Sequence, residues 1–243
     1  MKLRDKVVVV TGATGGIGVK LCEELDKKGS KLILISKDDD KLKKLAKSLK
    51  HAQFIAFDFT HLANYEDLEK AIRVKCDQVD ILINNAGIGI YKTIEEADFH
   101  DWNESLSINA TFPFLLIKSL LPILKISEKA LILNVGTGMG KIPTGGRSLY
   151  CASKAALRLL SMSLSKEYQG TNIHFVHVAL GSTLTGFGPL TLKEKQEENL
   201  KGKAYFTADW VAEKFVEIIE MEDFEDEIEL YPSQYTGKNW NIK

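Results

Sequence analysis

Cysteine is scarce in this chain of 243 residues. Cys22, Cys76 and Cys151 are its only three, they lie far apart, and none belongs to a CxxC pair. An odd, scattered set makes neither a disulfide framework nor a zinc site, and it suits a reducing cytoplasm. Net charge is nearly absent too, at −1, with the basic residues spread along the chain. That excludes the dense positive patch through which proteins hold nucleic acid or an acidic membrane surface. The opening MKLRDKVVVVTG offers only four valines before a glycine, too short for a signal-peptide core or a membrane span. No repeat and no internal linker divides the chain, so residues 1–243 are expected to form one domain. At 44% hydrophobic and 27% charged residues, the composition is that of an ordinary globular protein.

What is present is an alternation. VVVV (7–10), KLILIS (31–36), QFIAFDF (53–59), VDILINNAG (79–87), ALILNVG (130–136), NIHFVHVAL (172–180) and EIELYP (227–232) read as seven strands. Their continuous β-branched and aliphatic runs suit strands covered on both faces. Helical stretches separate them: 17–29, 38–50, 65–76, 99–125 with an interruption near Pro113, 150–168 and 208–220. Such alternation predicts an α/β doubly wound Rossmann fold, a mostly parallel seven-stranded sheet with helices on both faces. Ligands of such sheets sit beyond the carboxyl ends of the strands, so the informative residues should follow each strand. The polar run LKEKQEENLKGK (192–203) reads as a solvated helix, and the wider segment 182–206 as a loop or lid over the site.

The octet TGATGGIG (11–18) follows a strand and opens a helix. Glycines there let the backbone approach a pyrophosphate, and the helix start adds amide donors and partial positive charge. Gly12, Gly16 and Gly18 fit TGxxxGxG, whereas Gly12, Gly15 and Gly18 fit TGxxGxxG, so the octet alone leaves the kind of nucleotide enzyme open. Where NAD enzymes place an acidic residue for the ribose hydroxyls, this chain has Ser36 and then Lys37. A hydroxyl followed by a cation favours NADP(H) over NAD(H), although Asp38, Asp39 and Asp40 offset the charge.

Tyr150 stands four residues before Lys154 in RSLYCASK, a spacing that brings two helical side chains together. Chance can supply one such pair, so its surroundings matter. Asn84-Asn85-Ala86-Gly87 ends the fourth strand, Asn109 lies in SINA, Thr137 follows the fifth strand, and Asp58 and Thr60 end the third. Together TGATGGIG, FDFT, NNAG, Asn109, YCASK and LGSTLT resemble the short-chain dehydrogenase/reductase family from Val7 to about Pro232. NNAG and the chain length resemble its compact single-domain branch rather than the longer, sugar-nucleotide-modifying one.

The resemblance implies Asn109, Thr137, Tyr150 and Lys154 as the catalytic set. It implies a cofactor-binding set of Gly12, Thr14, Gly15, Gly16, Ile17, Gly18, Ser36, Lys37, Asp58, Phe59, Asn85, Ala86, Gly87, Tyr150, Lys154, Leu180, Gly181, Thr183 and Thr185. Within these, Asp58 would bond the adenine, Tyr150 would be the acid/base, Lys154 would hold the nicotinamide ribose and lower the phenol's pKa, and Asn109 would anchor a proton-relaying water. A phenol titrates near pH 10, and bringing it close to neutrality corresponds to about 4 kcal/mol. Nearby positive charge is what could supply that.

Two positions depart from the family pattern. Thr137 replaces the usual serine, keeping the hydroxyl but adding a methyl, for which Gly136, Gly138 and Gly140 are expected to leave room. Leu180 replaces a proline before Gly181, which predicts a less constrained loop. The expected reaction is hydride transfer between NADP(H) and a carbonyl or secondary alcohol. A non-enzymatic nucleotide sensor and a longer-branch epimerase or dehydratase are the alternatives. Residues 88–98, 138–149 and 182–206 should build the pocket. They hold no recognisable charged clamp, and Gly89, Tyr91, Met139 and Phe187 suggest an uncharged, partly apolar substrate. His174 and His177 are expected to be packing residues facing opposite ways. The helices carrying Asn109 and Tyr150 are expected to pair in a homodimer or homotetramer.

Overall fold

The computed structural model describes residues 1–239. Seven strands form one sheet in the order β3-β2-β1-β4-β5-β6-β7, and every neighbouring pair is parallel. They are β1 Val7–Thr11, β2 Lys31–Ser36, β3 Ala52–Ala56, β4 Ile81–Asn84, β5 Ala130–Thr137, β6 Ile173–Leu180 and β7 Glu227–Leu230. The helices are α1 Gly16–Lys27, α2 Asp39–Ser48, α3 Tyr65–Arg73, α4 Phe99–Leu106, α5 Phe112–Leu124, α6 Ser148–Glu167, α7 Leu192–Leu200, α8 Ala208–Glu220 and α9 Pro232–Thr236. The chain runs outward from β1 to β3, then returns to lay β4 against the other side of β1. That reversal is the switch point, and it opens a crevice at the carboxyl ends of β1 and β4.

Alternation along each strand divides the core into two layers. Val8, Val10, Leu32, Leu34, Ile81 and Ile83 face Leu21, Leu25 and Phe215 of α1 and α8. Val9, Ile33, Ile35, Leu82 and Ile132 face Ile72, Leu116 and Leu120 of α3 and α5. The stretch Phe99–Leu124 is long and apolar enough by composition to cross a membrane. Here Phe112, Leu116, Ile117 and Leu120 give it an ordinary role as one wall of the second layer. Its interruption is a π turn over Ser107–Thr111, not a break at Pro113. Pro113 follows directly in the first turn of α5, and the altered hydrogen-bond ladder of the π turn accommodates a residue without an N–H.

Candidate active site

The glycine turn and the NNAG turn meet across the switch point as one backbone cluster. Gly12 has φ +64°, and a Cβ on it would lie 2.9 Å from Ala86 Cα and 3.1 Å from Asn85 Nδ2. A Cβ on Gly18 would stand 2.2 Å from the Gly12 carbonyl oxygen, so only glycine lets α1 start this close to the turn. Thr11 Oγ1 accepts from the amides of Asn85 and Ala86 at 3.1 Å each and donates to the Ile83 carbonyl at 3.3 Å. Asn85 Nδ2 donates to the carbonyls of Thr11 and Gly12 at 3.1 and 3.2 Å. Gly16 lies beneath Thr185, whose Cγ2 would be 2.7 Å from a Cβ there.

At the end of β2 the hydroxyls of Thr14 and Ser36 are 2.6 Å apart. Lys37 is exposed. Its acidic neighbours are largely committed elsewhere: Asp38 accepts from the Lys41 amide at 3.0 Å and pairs with its ammonium at 2.8 Å, while Asp39 pairs with Lys43. Asp58 accepts from the Thr60 amide and hydroxyl at 3.0 and 2.8 Å, and the amide bond is the main reason its carboxyl sits below the usual range. The Phe59 ring is taken up by the core, 4.5 Å from that of Phe112, which leaves its main chain as the part that can meet a ligand.

A cavity of about 600 Å³ opens beyond the ends of β4, β5 and β6. Thr137, Tyr150 and Lys154 line it, with Ile17, Asn85, Gly87, Leu180, Gly181, Thr183 and Thr185 of the cofactor set. Gly12, Thr14, Gly15, Gly16, Gly18, Ser36, Lys37, Asp58, Phe59, Ala86 and Asn109 do not line it. Tyr150 and Lys154 are one turn apart on α6, both buried and both on the cavity wall. Lys154 Nζ donates to the Val135 carbonyl at 3.0 Å, and burial brings its pKa down to about 8. The Tyr150 phenol is pushed up from its ordinary value by burial, with Tyr91 and Cys151 adding; the Thr137 hydroxyl and Arg147 oppose. Lys154 is not among the leading influences on it. Desolvation is thus the leading influence on this phenol in the protein alone.

Asn109 lies just behind that wall, in the π turn. A Cβ on Gly87 would be 3.1 Å from Asn109 Oδ1 and 3.4 Å from Lys154 Nζ, so the missing side chain is what lets these groups approach. The carboxamide makes three hydrogen bonds: Oδ1 accepts from the Ile88 amide at 2.9 Å, and Nδ2 donates to the Ile88 carbonyl at 2.9 Å and to Ser153 Oγ at 3.0 Å.

The glycines around Thr137 do not reserve space for its methyl. A Cβ on Gly136 would collide with His177 Nε2 at 1.9 Å, one on Gly138 would lie 2.9 Å from the Tyr231 ring, and one on Gly140 would lie 3.0 Å from the Lys154 carbonyl oxygen. Each admits a neighbour instead. His177 is buried as expected, with Nδ1 3.2 Å from Glu227 Oε1.

The loop after Leu180 is tied down despite the missing proline. The Gly181 amide donates to the Leu230 carbonyl at 2.8 Å, and Leu184 and Phe206 amides bond the carbonyls of Phe206 and Ser182 at 2.9 and 3.0 Å. The buried Lys195 of α7 reaches back to the carbonyls of Thr183 at 3.3 Å, Thr185 at 3.0 Å and Phe187. Sequence reasoning missed this residue, because it is one of four lysines in a run that otherwise reads as solvated. It also missed Arg147, which lines the cavity within the very stretch judged free of a charged clamp. Its position three residues before Tyr150, at the start of the helix, does not say which way the side chain turns.

The family description "short chain dehydrogenase" matches residues 6–196. The chain belongs to the short-chain dehydrogenase family. It is 31% identical over 186 residues to an uncharacterized oxidoreductase of Staphylococcus saprophyticus, covering 74% of this chain and 80% of that protein. An alcohol dehydrogenase from the archaeon Thermococcus sibiricus, solved with 5-hydroxy-NADP, superposes with a TM-score of 0.83 at 25% identity, over 93% of this chain and 96% of its own. The L-sorbose reductase of Gluconobacter frateurii, solved with NADPH and L-sorbose, shares the fold with a TM-score of 0.85 at 23% identity, over 95% and 97%. This short-chain dehydrogenase is therefore an NAD(P)-dependent oxidoreductase that acts on small molecules.

Proposed function

We propose that this dehydrogenase transfers a hydride between NADP(H) and a carbonyl or secondary alcohol, with Tyr150 as the general acid/base. The observation that carries the reading is the joint placement of Thr137, Tyr150 and Lys154 on one cavity wall at the strand ends. The residues fit a dinucleotide: Gly12 and Gly18 have no room for a Cβ, as a close backbone approach requires. Gly12, Thr14, Gly15, Gly16, Ile17 and Gly18 would hold the pyrophosphate side. Asp58, Phe59, Asn85, Ala86 and Gly87 would line the adenosine side, and Leu180, Gly181, Thr183 and Thr185 would cover the nicotinamide. Ser36 and Lys37 would meet a ribose 2′-phosphate. The commitment of Asp38 and Asp39 to their own lysines supports NADP(H) over NAD(H), as does the NADP-type ligand of the Thermococcus enzyme.

A bound reduced nicotinamide supplies the hydride. Thr137 and Tyr150 hydrogen-bond the substrate oxygen, and Tyr150 gives it a proton. Burial alone holds the phenol protonated, and transfer in either direction needs nearby positive charge to bring it toward the working pH. Lys154 contributes a share of that charge from the ribose side. Asn109 fixes the π turn through Ile88 and Ser153. With its carboxamide engaged, a relay water would be held by a main-chain carbonyl where the π turn shifts the helical ladder. The segment 182–206 acts as the cover of the substrate end. Trp102, Phe114 and Leu159 are exposed on α4, α5 and α6, which supports association through those helices into a homodimer or homotetramer. The three free cysteines support a cytoplasmic location.

The test is consumption of cofactor. With a panel of ketones and aldehydes, NADPH should be oxidised stoichiometrically, and kcat/KM should favour it over NADH. Tight NADPH binding without turnover of any carbonyl compound would point to a sensor instead.

A further inference from the structure

We propose that Arg147 recognises a carboxylate on the substrate, so that the chain acts on carbonyl compounds or secondary alcohols that also carry a carboxylic acid. This rests on the hydride-transfer reading above and names the substrate class of the same site. It replaces the uncharged substrate expected from the sequence.

Arg147 is the residue from which α6 springs, and it lines the cavity with Tyr150. Its guanidinium carbon lies 5.2 Å from the centre of the Tyr91 ring. That ring in turn stands edge-on to Tyr150, with centroids 5.5 Å apart. The cation is thus one aromatic ring away from the phenol. A guanidinium is always charged and offers five donors in a planar fork. Among the described residues no carboxylate lies within ion-pair distance of Arg147. Its one side-chain hydrogen bond goes to the Met139 sulfur at 3.7 Å, a weak acceptor.

The other cations of the cavity are engaged. Lys154 donates to the Val135 carbonyl, Lys195 to three loop carbonyls, and Lys203 pairs with Glu198 at 2.8 Å. Among the described residues no aspartate or glutamate lines the cavity, and Met139, Ile142, Phe187 and Leu190 make much of its wall apolar. A half-buried cation in such a wall gains most from a ligand that brings the opposite charge. The Tyr91 ring lies within cation–π distance of the guanidinium, and a planar carboxylate matches the guanidinium fork with two parallel hydrogen bonds. A neutral substrate would leave the charge uncompensated.

The experiment uses pairs of compounds that differ only in charge: oxo acids of increasing length and their methyl esters, with NADPH oxidation as the readout. The wild type should prefer the acid of the best pair in kcat/KM. Arg147→Met should reduce that acid-to-ester ratio by about 10- to 100-fold, the scale of hydrogen bonds to a charged group. Arg147→Lys, which keeps the charge but not the fork, should fall between. Melting temperature and NADPH affinity of both variants report whether they are folded. Should Arg147→Met fail to fold, the lysine variant still tests the proposal, together with inhibition of wild-type ketone reduction by unreactive carboxylates and by their amides. Carboxylates should compete, and Arg147→Lys should weaken them. A wild type that turns over esters as well as acids, or variants that keep the acid preference, would overturn the inference. If ketones and aldehydes of the wider panel oxidise NADPH while neither series does, the carboxylate inference fails; if nothing in either set oxidises it, the hydride-transfer reading fails.

Discussion

At the glycine turn, main chain meets main chain; at the substrate mouth, side chains from distant segments meet each other. Gly12, Gly18, Asn85 and Ala86 are held by backbone contacts and by Thr11, within two neighbouring strand ends. Tyr91, Arg147, Tyr150, Phe187 and Lys195 come from four separate stretches and depend on ring packing and one ammonium. A backbone cradle tolerates almost no change and fits a ligand part that does not vary. A side-chain mouth can be rebuilt by substitution, and it is where chains of one family diverge in what they accept.

The sharpest way to break the cradle is Gly18→Ala. Its Cβ would fall 2.2 Å from the Gly12 carbonyl oxygen and 2.9 Å from Ala13, both main chain that cannot rotate away. The expected cost is at the upper end of the roughly 1–3 kcal/mol typical of overpacking, with NADPH affinity down about 100-fold. A fluorescence titration with NADPH checks it, and unchanged affinity would show that the turn has slack.

An intermediate effect is expected beneath the mouth, at Glu227. It accepts from Arg158 at 2.6 and 2.8 Å and pairs with Lys141 at 3.2 Å, and Arg158 is the main reason its pKa falls to about 2. Burial lowers the neighbouring His177 to about 4. Both folded groups bind protons less readily than unfolded ones, so acid favours unfolding. Stability should decline as pH falls from 6.5 toward 4 through His177, and from 4.5 toward 2 through Glu227. Glu227→Gln should lower the neutral-pH melting temperature by several degrees and narrow its gap to the wild type below pH 4.5. A gap that stays constant with pH would contradict the ion-pair account.

The smallest effect belongs to the mouth itself. Lys195→Met removes the donor shared by three loop carbonyls while keeping an unbranched apolar stem. KM for substrate should rise about tenfold, with cleavage by protease appearing between 183 and 206 and little change in melting temperature. Unaltered proteolysis would mean the loop is held by Gly181, Leu184 and Phe206 alone.

The two regions also differed in how well they could be read. Strand runs and the glycine octet are local signals, so the sheet, its order of elements and the turn at Gly12–Gly18 followed from neighbouring residues. Tyr150 and Lys154 were legible because one helix carries both. The π turn at Ser107–Thr111 was not, since nothing in SINAT forbids an α-helix and Pro113 drew attention instead. Lys195 and Arg147 were illegible for a different reason. Their partners lie on other segments, and a lysine among lysines or an arginine before a helix carries no mark of burial. The glycines flanking Thr137 misled because the space they leave is filled by His177, Tyr231 and the α6 main chain.

The central claim is that the Tyr150 hydroxyl moves the proton, and Tyr150→Phe tests it by deleting that oxygen alone. Using the carbonyl compound that the wild type reduces best, the variant should lose at least about 1,000-fold in kcat, within the range assigned to a positioned acid. Its NADPH affinity should stay within about threefold of the wild type, because the phenol acts on the substrate oxygen. A phenylalanine variant that reduces the same compound at close to the wild-type rate would contradict the account.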